Sequence, residues 1–304
     1  MALDLQGRVA VVTGAGGGIG RATALALSDL GAAVVVNDIG VDESGVATAT
    51  RVAEEIGARG GEAVAATASA AEWRGAESVI AAASDAFGRV DVLVTNAGVG
   101  WAGPPSAVDE VTFDRVVDSH IRGAAFCARH ALEAMLAGGW GRIVNLVSRA
   151  GIVGLPRTMP YAVGKGGVLG LTNALARDVA GTGVTVNAVS PAATLTPMTE
   201  AAVESLAGQG EEERARAAQL SAAMQPPEAV AVAIATLCLP QAGHVNGQVF
   251  LVERGVVGLF QPLTVTQQVT SDAPWTPAEL CAALDDLQFH ALSDVYGPQP
   301  SAGR

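Results

Sequence analysis

The sequence is short of cysteine and of positive charge, and each shortage excludes a class of protein. Its three cysteines, Cys127, Cys238 and Cys281, stand far apart in a chain of 304 residues. Isolated cysteines in odd number predict neither a disulfide framework nor a cysteine-rich metal site, and they favour a reducing, cytoplasmic compartment. The 18 lysines and arginines stand against 30 acidic residues, which leaves a net charge of −12. A field of that sign disfavours nucleic acid and anionic membrane surfaces as partners.

Long hydrophobic runs are also missing. No stretch reaches the length that a membrane-spanning helix needs. The opening residues, MALDLQGRVAVVTG, lack the basic segment and apolar core of a signal peptide, so we expect none. His130, His244 and His290 have no ligand-like neighbours in the sequence, and we therefore predict no metal site.

Aliphatic residues dominate what is present. Half of the sequence is hydrophobic but only 4% is aromatic, which predicts a core of alanine, valine, leucine and isoleucine. Apolar strands are predicted at 8–14, 32–38, 62–67, 90–98, 141–148, 183–191 and 247–253. Helices are predicted between them at 19–31, 45–58, 160–180 and 226–239, with two more over 107–137. This alternation is typical of an α/β fold with a doubly wound parallel sheet, the Rossmann fold.

The chain changes character after the strand at 247–253, which we predict to be the last. Residues 256–304 are richer in proline and polar residues. They include APWTPAELCAALDDL at 273–287, which predicts a capped helix. We interpret residues 1–255 as a single Rossmann-type domain and residues 256–304 as its C-terminal extension.

The segment TGAGGGIG, residues 13–20, joins the first predicted strand to the first helix. Gly14, Gly18 and Gly20 let backbone N–H groups approach a pyrophosphate, and the helix N-terminus adds a favourable dipole. A generic glycine-rich turn is the alternative, but the position between strand and helix favours nucleotide binding. Asp38 ends the second strand, where a carboxylate accepts hydrogen bonds from ribose hydroxyls and repels a 2′-phosphate. Unless Asp38 is a simple turn residue, this favours NAD over NADP.

A catalytic trio is predicted from Ser148, Tyr161 and Lys165. Ser148 ends the fifth strand, and a helix that begins near Tyr161 brings Tyr161 and Lys165 onto one face. The alternative is a tyrosine–lysine pair on a solvated helix face. Tyrosine has a pKa of about 10, and a neighbouring ammonium with a positively charged nicotinamide would lower it. Tyr161 would then be the general base that oxidises a secondary alcohol, Ser148 would position the substrate oxygen, and a cofactor would take the hydride.

With these motifs the sequence resembles the short-chain dehydrogenase/reductase family over residues 5–255. The resemblance rests on TGAGGGIG, TNAG (95–98), Ser148, YAVGK (161–165) and SPAATLTPM (190–198). It implies that Tyr161 is the acid–base residue, that Lys165 lowers its pKa and holds the ribose, and that Ser148 positions the substrate. It also implies that Asn96 steadies the central sheet and that Thr196 holds the nicotinamide carboxamide. The implied cofactor-binding residues, besides Tyr161 and Lys165, are Gly14, Gly18, Ile19, Gly20, Asp38, Asn96, Ala97, Gly98, Pro191 and Thr196.

Two positions depart from the family pattern. His120 stands where many members carry a catalytic asparagine that anchors a proton-relay water, and Ala68 stands where an aspartate often contacts the adenine amino group. Three interpretations of His120 remain: it packs as an ordinary helix histidine, it replaces the asparagine in the relay, or it impairs catalysis. The missing carboxylate at Ala68 predicts weaker cofactor binding.

Several segments narrow the resemblance to a subgroup. VVVNDIG (34–40), the segment around His120, PAATLTPMTE (191–200) and the extension resemble bacterial relatives of the dehydrogenase domain of peroxisomal multifunctional enzymes. This implies an NAD-dependent oxidoreductase for the secondary alcohol of a 3-hydroxyacyl-CoA or a hydroxysteroid. An NADPH-dependent 3-oxoacyl or general ketone reductase is one alternative, and a non-catalytic nucleotide-binding homologue is another. The family also implies a homodimer or homotetramer built on the helices near 118–137 and 160–180.

Overall fold

The structure of the chain, a computed structural model, describes residues 4–208 and 210–289, and its centre is an eight-stranded sheet. The strands lie in the order β3-β2-β1-β4-β5-β6-β7-β8. They are β1 (Val9–Thr13), β2 (Ala33–Asn37), β3 (Ala63–Ala66), β4 (Val92–Thr95), β5 (Gly141–Leu146), β6 (Val184–Pro191), β7 (Val249–Glu253) and β8 (Val256–Leu259). From β3 through β7, every neighbouring pair of strands is parallel.

Helices cover both faces of this sheet. The α-helices of the described residues are α1 (Gly18–Asp29), α2 (Thr48–Ala58), α3 (Trp73–Phe87), α4 (Glu110–Ala137), α5 (Arg149–Ile152), α6 (Met159–Asp178), α7 (Pro197–Ala207), α8 (Glu211–Ala223), α9 (Pro227–Cys238) and, in the C-terminal part of the chain, α10 (Pro277–Ala283). Side chains of α1, α2 and α9 pack on one face, and those of α3, α4 and α6 pack on the other. The predicted doubly wound Rossmann fold is confirmed.

Alternate residues of each central strand contribute to the two layers of the core. In β1, Ala10 and Val12 face the layer of α1 and α9, whereas Val9 and Val11 face the layer of α3 and α4. All five residues of β1 are buried. Because successive side chains point to opposite faces and both faces are covered, such a strand is apolar throughout.

One long helix, α4, replaces the two that the sequence predicts over 107–137. It runs for 28 residues, and the Asp109 side chain caps it by accepting a hydrogen bond from the Thr112 N–H. The prediction of two helices is wrong because no proline interrupts the stretch and Gly123 is buried inside the helix rather than ending it. Since α4 packs along α6, its middle residues lie beside the first turns of α6.

The edge of the sheet beyond β7 also departs from the prediction. The strand predicted at 247–253 is present as β7, but it is not the last, because β8 pairs with it antiparallel. Arg254 and Gly255 connect the two strands with positive φ angles of 43° and 81°. A two-residue connection can only form a hairpin, so the sheet cannot remain parallel at this edge.

The chain divides after Phe260 into two compact units. In the described part of the second unit, α10 begins with a capping box. The Thr276 hydroxyl accepts a hydrogen bond from the Glu279 N–H, and the Glu279 carboxylate accepts one from the Thr276 N–H. The capped helix predicted within 273–287 is therefore present.

The strand order places one crevice at the carboxyl edge of the sheet. From β1 the chain first builds outward through β2 and β3, and it then returns to add β4 on the other side. Ligands of open α/β sheets bind where the order reverses in this way.

Candidate active site

A cavity of about 780 Å³ opens at the carboxyl edge of the sheet. Its lining includes the predicted residues Gly14, Gly18, Ile19, Asp38, Asn96, Ala97, Gly98, His120, Ser148, Tyr161, Lys165, Pro191 and Thr196. Gly20 is the exception, since it lies buried in the first turn of α1, below the loop. The fold therefore brings residues from both halves of the sheet to one place.

The lining also contains residues that sequence reasoning missed. Leu155 lies between α5 and α6, Met198 is in the first turn of α7, and Glu253 ends β7. Leu155 belongs to no motif, and Met198 ends the SPAATLTPM segment but was given no role, because the positions of both side chains depend on the course of loops. The place of Glu253 at the carboxyl end of a strand was the one usable signal.

The loop between β1 and α1 requires glycine for two physical reasons. Gly14 and Gly18 have positive φ angles of 63° and 51°. A Cβ at Gly14 would lie 2.7 Å from the Ala97 Cα, and a Cβ at Gly20 would lie 2.2 Å from the Gly14 carbonyl oxygen. Any other residue at Gly14 or Gly20 would push the loop away from its neighbours.

Asn96 ties this loop to the end of β4. Its Nδ2 donates to the carbonyl oxygens of Thr13 at 3.0 Å and Gly14 at 2.8 Å. In return, the Thr13 hydroxyl accepts the backbone N–H groups of Asn96 and Ala97 at 3.1 and 3.2 Å. The TNAG segment thus holds the glycine loop against the sheet.

Asp38 follows β2 and points at the glycine loop. Its carboxylate accepts hydrogen bonds from the backbone N–H of Gly16 at 2.9 Å and of Gly40 at 2.7 Å. A Cβ at Gly16 would lie 2.2 Å from the Thr48 hydroxyl oxygen. The close approach of Gly16 therefore fixes the orientation of the carboxylate beside the cavity.

The structure brings Ser148, Tyr161 and Lys165 together as predicted. Ser148 caps α5, and its Oγ accepts the Ala150 N–H at 3.2 Å. Tyr161 lies in the first turn of α6, where its phenol interacts with the Ser148 side chain. Lys165 follows one turn later, and its Nζ donates to the Leu146 carbonyl oxygen at 2.7 Å. That Nζ lies 5.9 Å from the centre of the Tyr161 ring.

In the protein without a cofactor, burial is the main influence on the protonation of Tyr161 and Lys165. It lowers the pKa of Lys165 from 10.5 to about 7. Burial also raises the pKa of Tyr161, and the hydrogen bond from Ser148 opposes this only in part. The expected lowering of the Tyr161 pKa is therefore not a property of the chain alone, because it needs positive charge that a bound cofactor brings.

His120 lies in the middle of α4, beside Tyr161. The two rings meet edge to face, with their centres 5.2 Å apart and their planes at 79°. The ring fits between two glycines, since a Cβ at Gly98 would lie 2.0 Å from His120 Cε1 and one at Gly164 would lie 3.0 Å from Cδ2. His120 is thus packed as closely as a core residue while it lines the cavity.

The hydrogen bonds of His120 fix its tautomer. Nε2 lies 3.0 Å from the Val99 carbonyl oxygen, which can only accept, so Nε2 carries the proton. Nδ1 is buried and has no hydrogen-bond partner among the described residues. Burial, and then the charge of Lys165, lower the pKa of His120 to about 3. His120 is therefore a neutral imidazole whose Nδ1 is a free acceptor.

The first turn of α7 covers the glycine loop. Thr196 caps the helix, and its hydroxyl accepts the Thr199 N–H at 3.3 Å. A Cβ at Gly18 would lie 2.9 Å from Thr196 Cγ2, and one at Gly100 would lie 3.0 Å from Met198 Sδ. α7 therefore forms part of the cavity wall, next to the glycine loop.

Metal clusters and membrane-spanning helices are both absent from the part of the chain that the structure describes. No group of three or more histidine, cysteine or acidic side chains could hold a metal ion there. His130 packs edge-on against Trp73, and His290 lies outside the described residues. Among the described helices, none combines the length and the apolar character needed to cross a bilayer.

Comparison with known proteins points to one family. A family model described as short chain dehydrogenase matches residues 8–207. Hydroxyacyl-CoA dehydrogenase ChsB1 of Mycobacterium tuberculosis is 36% identical over 300 residues, covering 93% of this chain and 89% of that protein. The (2S)-[(R)-hydroxy(phenyl)methyl]succinyl-CoA dehydrogenase subunit BbsD of Thauera aromatica is 33% identical, covering 82% and 96%. The 3-oxoacyl-[acyl-carrier-protein] reductase of Synechocystis is 37% identical, covering 83% and 98%.

A solved structure shares the same architecture. The crystal structure of a short chain dehydrogenase from Mycobacterium avium superimposes with a TM-score of 0.78 at 37% sequence identity. The match covers 93% of this chain and 94% of that one. Since the first compact unit ends at Phe260, a match of this length reaches into the C-terminal extension.

Proposed function

This chain belongs to the short chain dehydrogenase family and is an oxidoreductase that acts on CH–OH groups with a nicotinamide cofactor, and we propose that it interconverts the alcohol and ketone forms of a 3-hydroxyacyl-CoA with NAD. The observation that carries the proposal is the position of Tyr161. It lines the cavity beside Ser148, whose side chain interacts with its phenol, and it lies one helical turn before a buried lysine, Lys165.

The residues of the cavity fit a dinucleotide. At Gly14, in the loop before α1, and at Gly18, the first residue of α1, the backbone faces the cavity without a side chain, which suits a pyrophosphate. Asp38 stands on the β2 side of this loop, where it suits the adenosine ribose. The nicotinamide half would then lie on the other side, toward Thr196 and Lys165.

The trio supplies the proton chemistry. A nicotinamide ring, when bound, accepts the hydride from the alcohol carbon. Tyr161 takes the proton from the alcohol oxygen, and the Ser148 hydroxyl hydrogen-bonds that oxygen and holds it in place. Protonated Lys165 favours the Tyr161 phenolate, and the Leu146 carbonyl holds the ammonium at this distance. In the reductive direction Tyr161 returns the proton.

Asp38 supports NAD as the cofactor. The basic side chains that line the cavity are Arg149 and Lys165, and both belong to the segments that carry the trio. A 2′-phosphate beside Asp38 would meet a carboxylate with no lysine or arginine of the lining nearby to compensate it. This favours NAD over the NADPH of the alternative reductase.

The relatives and two exposed arginines, of which Arg149 lines the cavity, support a CoA thioester as substrate. ChsB1 and BbsD are both named for dehydrogenases of CoA thioesters, whereas the Synechocystis relative is named for a substrate on acyl carrier protein. Arg149 and Arg157 are exposed and form no ion pair with a described residue. Guanidinium groups of this kind suit the phosphates of CoA. The net charge of −12 disfavours docking of an acidic carrier protein.

NADH formation tests the function directly. With NAD, we expect turnover of 3-hydroxyacyl-CoAs, and weaker or no turnover of hydroxysteroids, simple secondary alcohols and carrier-bound 3-hydroxyacyl groups. The measurement is absorbance of the reduced cofactor across this panel, with NAD and NADP in parallel. Preference for NADP would overturn the role of Asp38, and preference for a carrier-bound substrate would favour the reductase. Cofactor binding without turnover of any panel member would favour a non-catalytic homologue.

An Asp38→Ser variant tests the role of Asp38 in the choice between NAD and NADP. Removing the carboxylate removes the repulsion of a 2′-phosphate, so the ratio of kcat/KM values for NADP and NAD should rise by about tenfold or more. An unchanged ratio would show that Asp38 is only a turn residue.

His120 takes the acceptor role in the proton relay under this proposal. Its Nδ1 lone pair is buried in the cavity lining beside Tyr161 and unpartnered among the described residues. An asparagine side-chain oxygen offers the same acceptor function to a relay water. This favours the second of the three interpretations of His120 over simple packing and over impaired catalysis.

Two variants of His120 separate these interpretations. His120→Asn keeps an acceptor, so its kcat should stay within about threefold of the native value, whereas His120→Phe keeps a ring and should lose about 10- to 100-fold in kcat. Because the pKa of His120 is about 3, neither variant should remove a titration from the pH–rate profile between pH ~5 and ~9. If His120→Phe keeps the native kcat, His120 has only a packing role. If His120→Asn shows a large increase in kcat, the native histidine impairs catalysis.

Oligomeric state and compartment complete the proposal. We propose a homodimer or homotetramer built on α4 and α6, whose Leu136 and Val163 are exposed apolar residues in the single chain. We also propose a cytoplasmic location, which suits the buried free thiols of Cys127 and Cys238.

A further inference from the structure

α7, which lines the cavity, and α8, which follows it in the chain and packs against it, have little packing against the core. No residue of α7 is buried, and Ala217 is the one buried residue of α8 among those described. Helices without a buried face cannot hold their position through core packing. What fixes them must lie where the chain leaves the sheet and returns to it.

The two ends of the stretch that contains α7 and α8, here called the α7–α8 segment, meet at one point. Thr194, before α7, and Gln225, after α8, pair as neighbours of a short parallel bridge. The Leu195 N–H donates to the Gln225 carbonyl at 2.8 Å, and the Gln225 N–H donates to the Ala193 carbonyl at 2.9 Å. The residues between them therefore leave the body of the protein through a narrow base.

The side chain of Gln225 joins this base to the sheet. It is 2% exposed, and its Nε2 donates to the Val252 carbonyl of β7 at 2.9 Å and to the Thr194 hydroxyl at 3.3 Å. Its Oε1 accepts the Arg254 N–H at 2.8 Å. The Arg254 guanidinium in turn donates to the Ala222 carbonyl near the end of α8 at 2.8 Å. One amide thus makes three hydrogen bonds, which join the chain before α7 to the end of β7 and the turn that follows it.

A chain of hydrogen bonds leads from this base to the cavity. The Thr199 hydroxyl donates to the Thr194 carbonyl at 2.7 Å, and it accepts the Thr196 N–H at 2.9 Å. Thr196 faces Gly18, and Met198 lies beside Gly100. The position of the Gln225 amide is therefore transmitted to the residues that close the cavity.

We propose that Gln225 is a positioning residue, which holds the base of the α7–α8 segment on β7 and so sets where Thr196 and Met198 stand over the cofactor and substrate. The effect on turnover rests on the proposed function, but the effect on the segment does not. Without the Gln225 amide, the position of α7 seen here would be only one of several that the segment adopts. The apparent affinity for the cofactor and substrate would then fall in proportion to the fraction of molecules in that position. Chemistry in that position would be unchanged.

Hydrogen exchange on the cofactor-free protein tests the proposal independently of activity. In Gln225→Leu, amide protection within 195–208 and 210–223 should fall by about tenfold or more, since a buried hydrogen-bonded amide is lost, while protection of β1, β4 and β5 stays native. A matched control is Gln248→Leu, because the Gln248 Nε2 also donates to a carbonyl, that of Asn246, at 2.9 Å but away from the segment. The control should leave the segment native.

Gln225→Glu supplies a conservative variant with a distinct signature. Below the pKa of the introduced carboxyl, the neutral group can still donate to the Val252 carbonyl. Above that pKa, the Glu carboxylate and the Val252 carbonyl are both hydrogen-bond acceptors and repel each other. Amide protection of the segment should therefore fall as pH rises from about 5 to 8. The titratable side chains on the adjoining turn, Glu253 and Arg254, are present in every variant, so a pH dependence that the native protein lacks belongs to position 225.

Kinetics then show whether the segment acts on binding. KM for the nicotinamide cofactor should rise about tenfold in Gln225→Leu, with kcat within about threefold of native. Native protection of the segment in Gln225→Leu would overturn the proposal, and so would an equal loss in the central strands or a loss of kcat with KM unchanged. If no substrate of the panel is turned over, the exchange result still decides the role of Gln225, and cofactor KM is replaced by Kd from calorimetry.

Discussion

Replacing Tyr161 by phenylalanine is expected to lower kcat by about 10²- to 10⁴-fold, because it removes the group that exchanges the proton with the alcohol oxygen. The ring remains, so the edge-to-face contact with His120 and the start of α6 are retained. NADH formation with the best substrate of the panel measures the loss.

Cofactor affinity is the control for this variant. The Kd for NADH from calorimetry should stay within a few-fold of native, since the phenol is one small contact in a large dinucleotide site. A Tyr161→Phe enzyme with native kcat would contradict the assignment of Tyr161, whatever the substrate. A loss of kcat together with a loss of cofactor binding would show a structural defect, and Ser148→Ala would then test the trio through its other hydroxyl.

Replacing Lys165 by methionine is expected to abolish catalysis and, at the same time, to stabilise the cofactor-free protein. The ammonium is buried, and burial lowers its pKa from 10.5 to about 7. A base whose folded pKa is below its unfolded value destabilises the fold fully below the folded pKa, and the cost vanishes as pH rises above the unfolded pKa. The difference between 10.5 and about 7 is on the order of several kcal/mol at neutral pH and below.

Unfolding as a function of pH measures this effect. The free-energy difference between Lys165→Met and the native protein should be largest at pH 7 and below and should shrink as pH approaches 10.5. Taking the difference cancels other groups that titrate in this range, such as the buried thiols Cys127 and Cys238, whose pKa values burial raises to about 12. A variant less stable than native at every pH would show that the Leu146 contact outweighs the cost of burial.

The sequence also offers a direct check, because Lys165 is the one lysine among its 304 residues. In protein labelled with ¹³C-lysine, a single side-chain signal reports the titration. We expect a midpoint at about 7 without cofactor, and a higher midpoint if a phenolate forms beside it. A midpoint near the ordinary value of about 10.4 would mean that solvent reaches the ammonium.

The sequence alone determined the class of fold and predicted most of the residues that line the candidate site, because both depend on local patterns. Apolar strands alternating with helical stretches predict a sheet covered on both faces, and the glycine spacing of TGAGGGIG has a backbone cause that holds wherever the loop lies. Ser148, Tyr161 and Lys165 were recognisable because a strand end and one helical turn set their spacing. These are properties of short stretches of chain.

Tertiary structure decided whatever depends on contacts between distant stretches. The Val99 carbonyl selects the tautomer of His120, and burial, not the neighbouring charge, governs the pKa of Tyr161 in the free protein. Gln225 carries no motif, and its role exists only because β7, Thr194 and Arg254 converge on one amide. Burial, tautomers and converging hydrogen bonds arise from long-range packing, which no local pattern encodes.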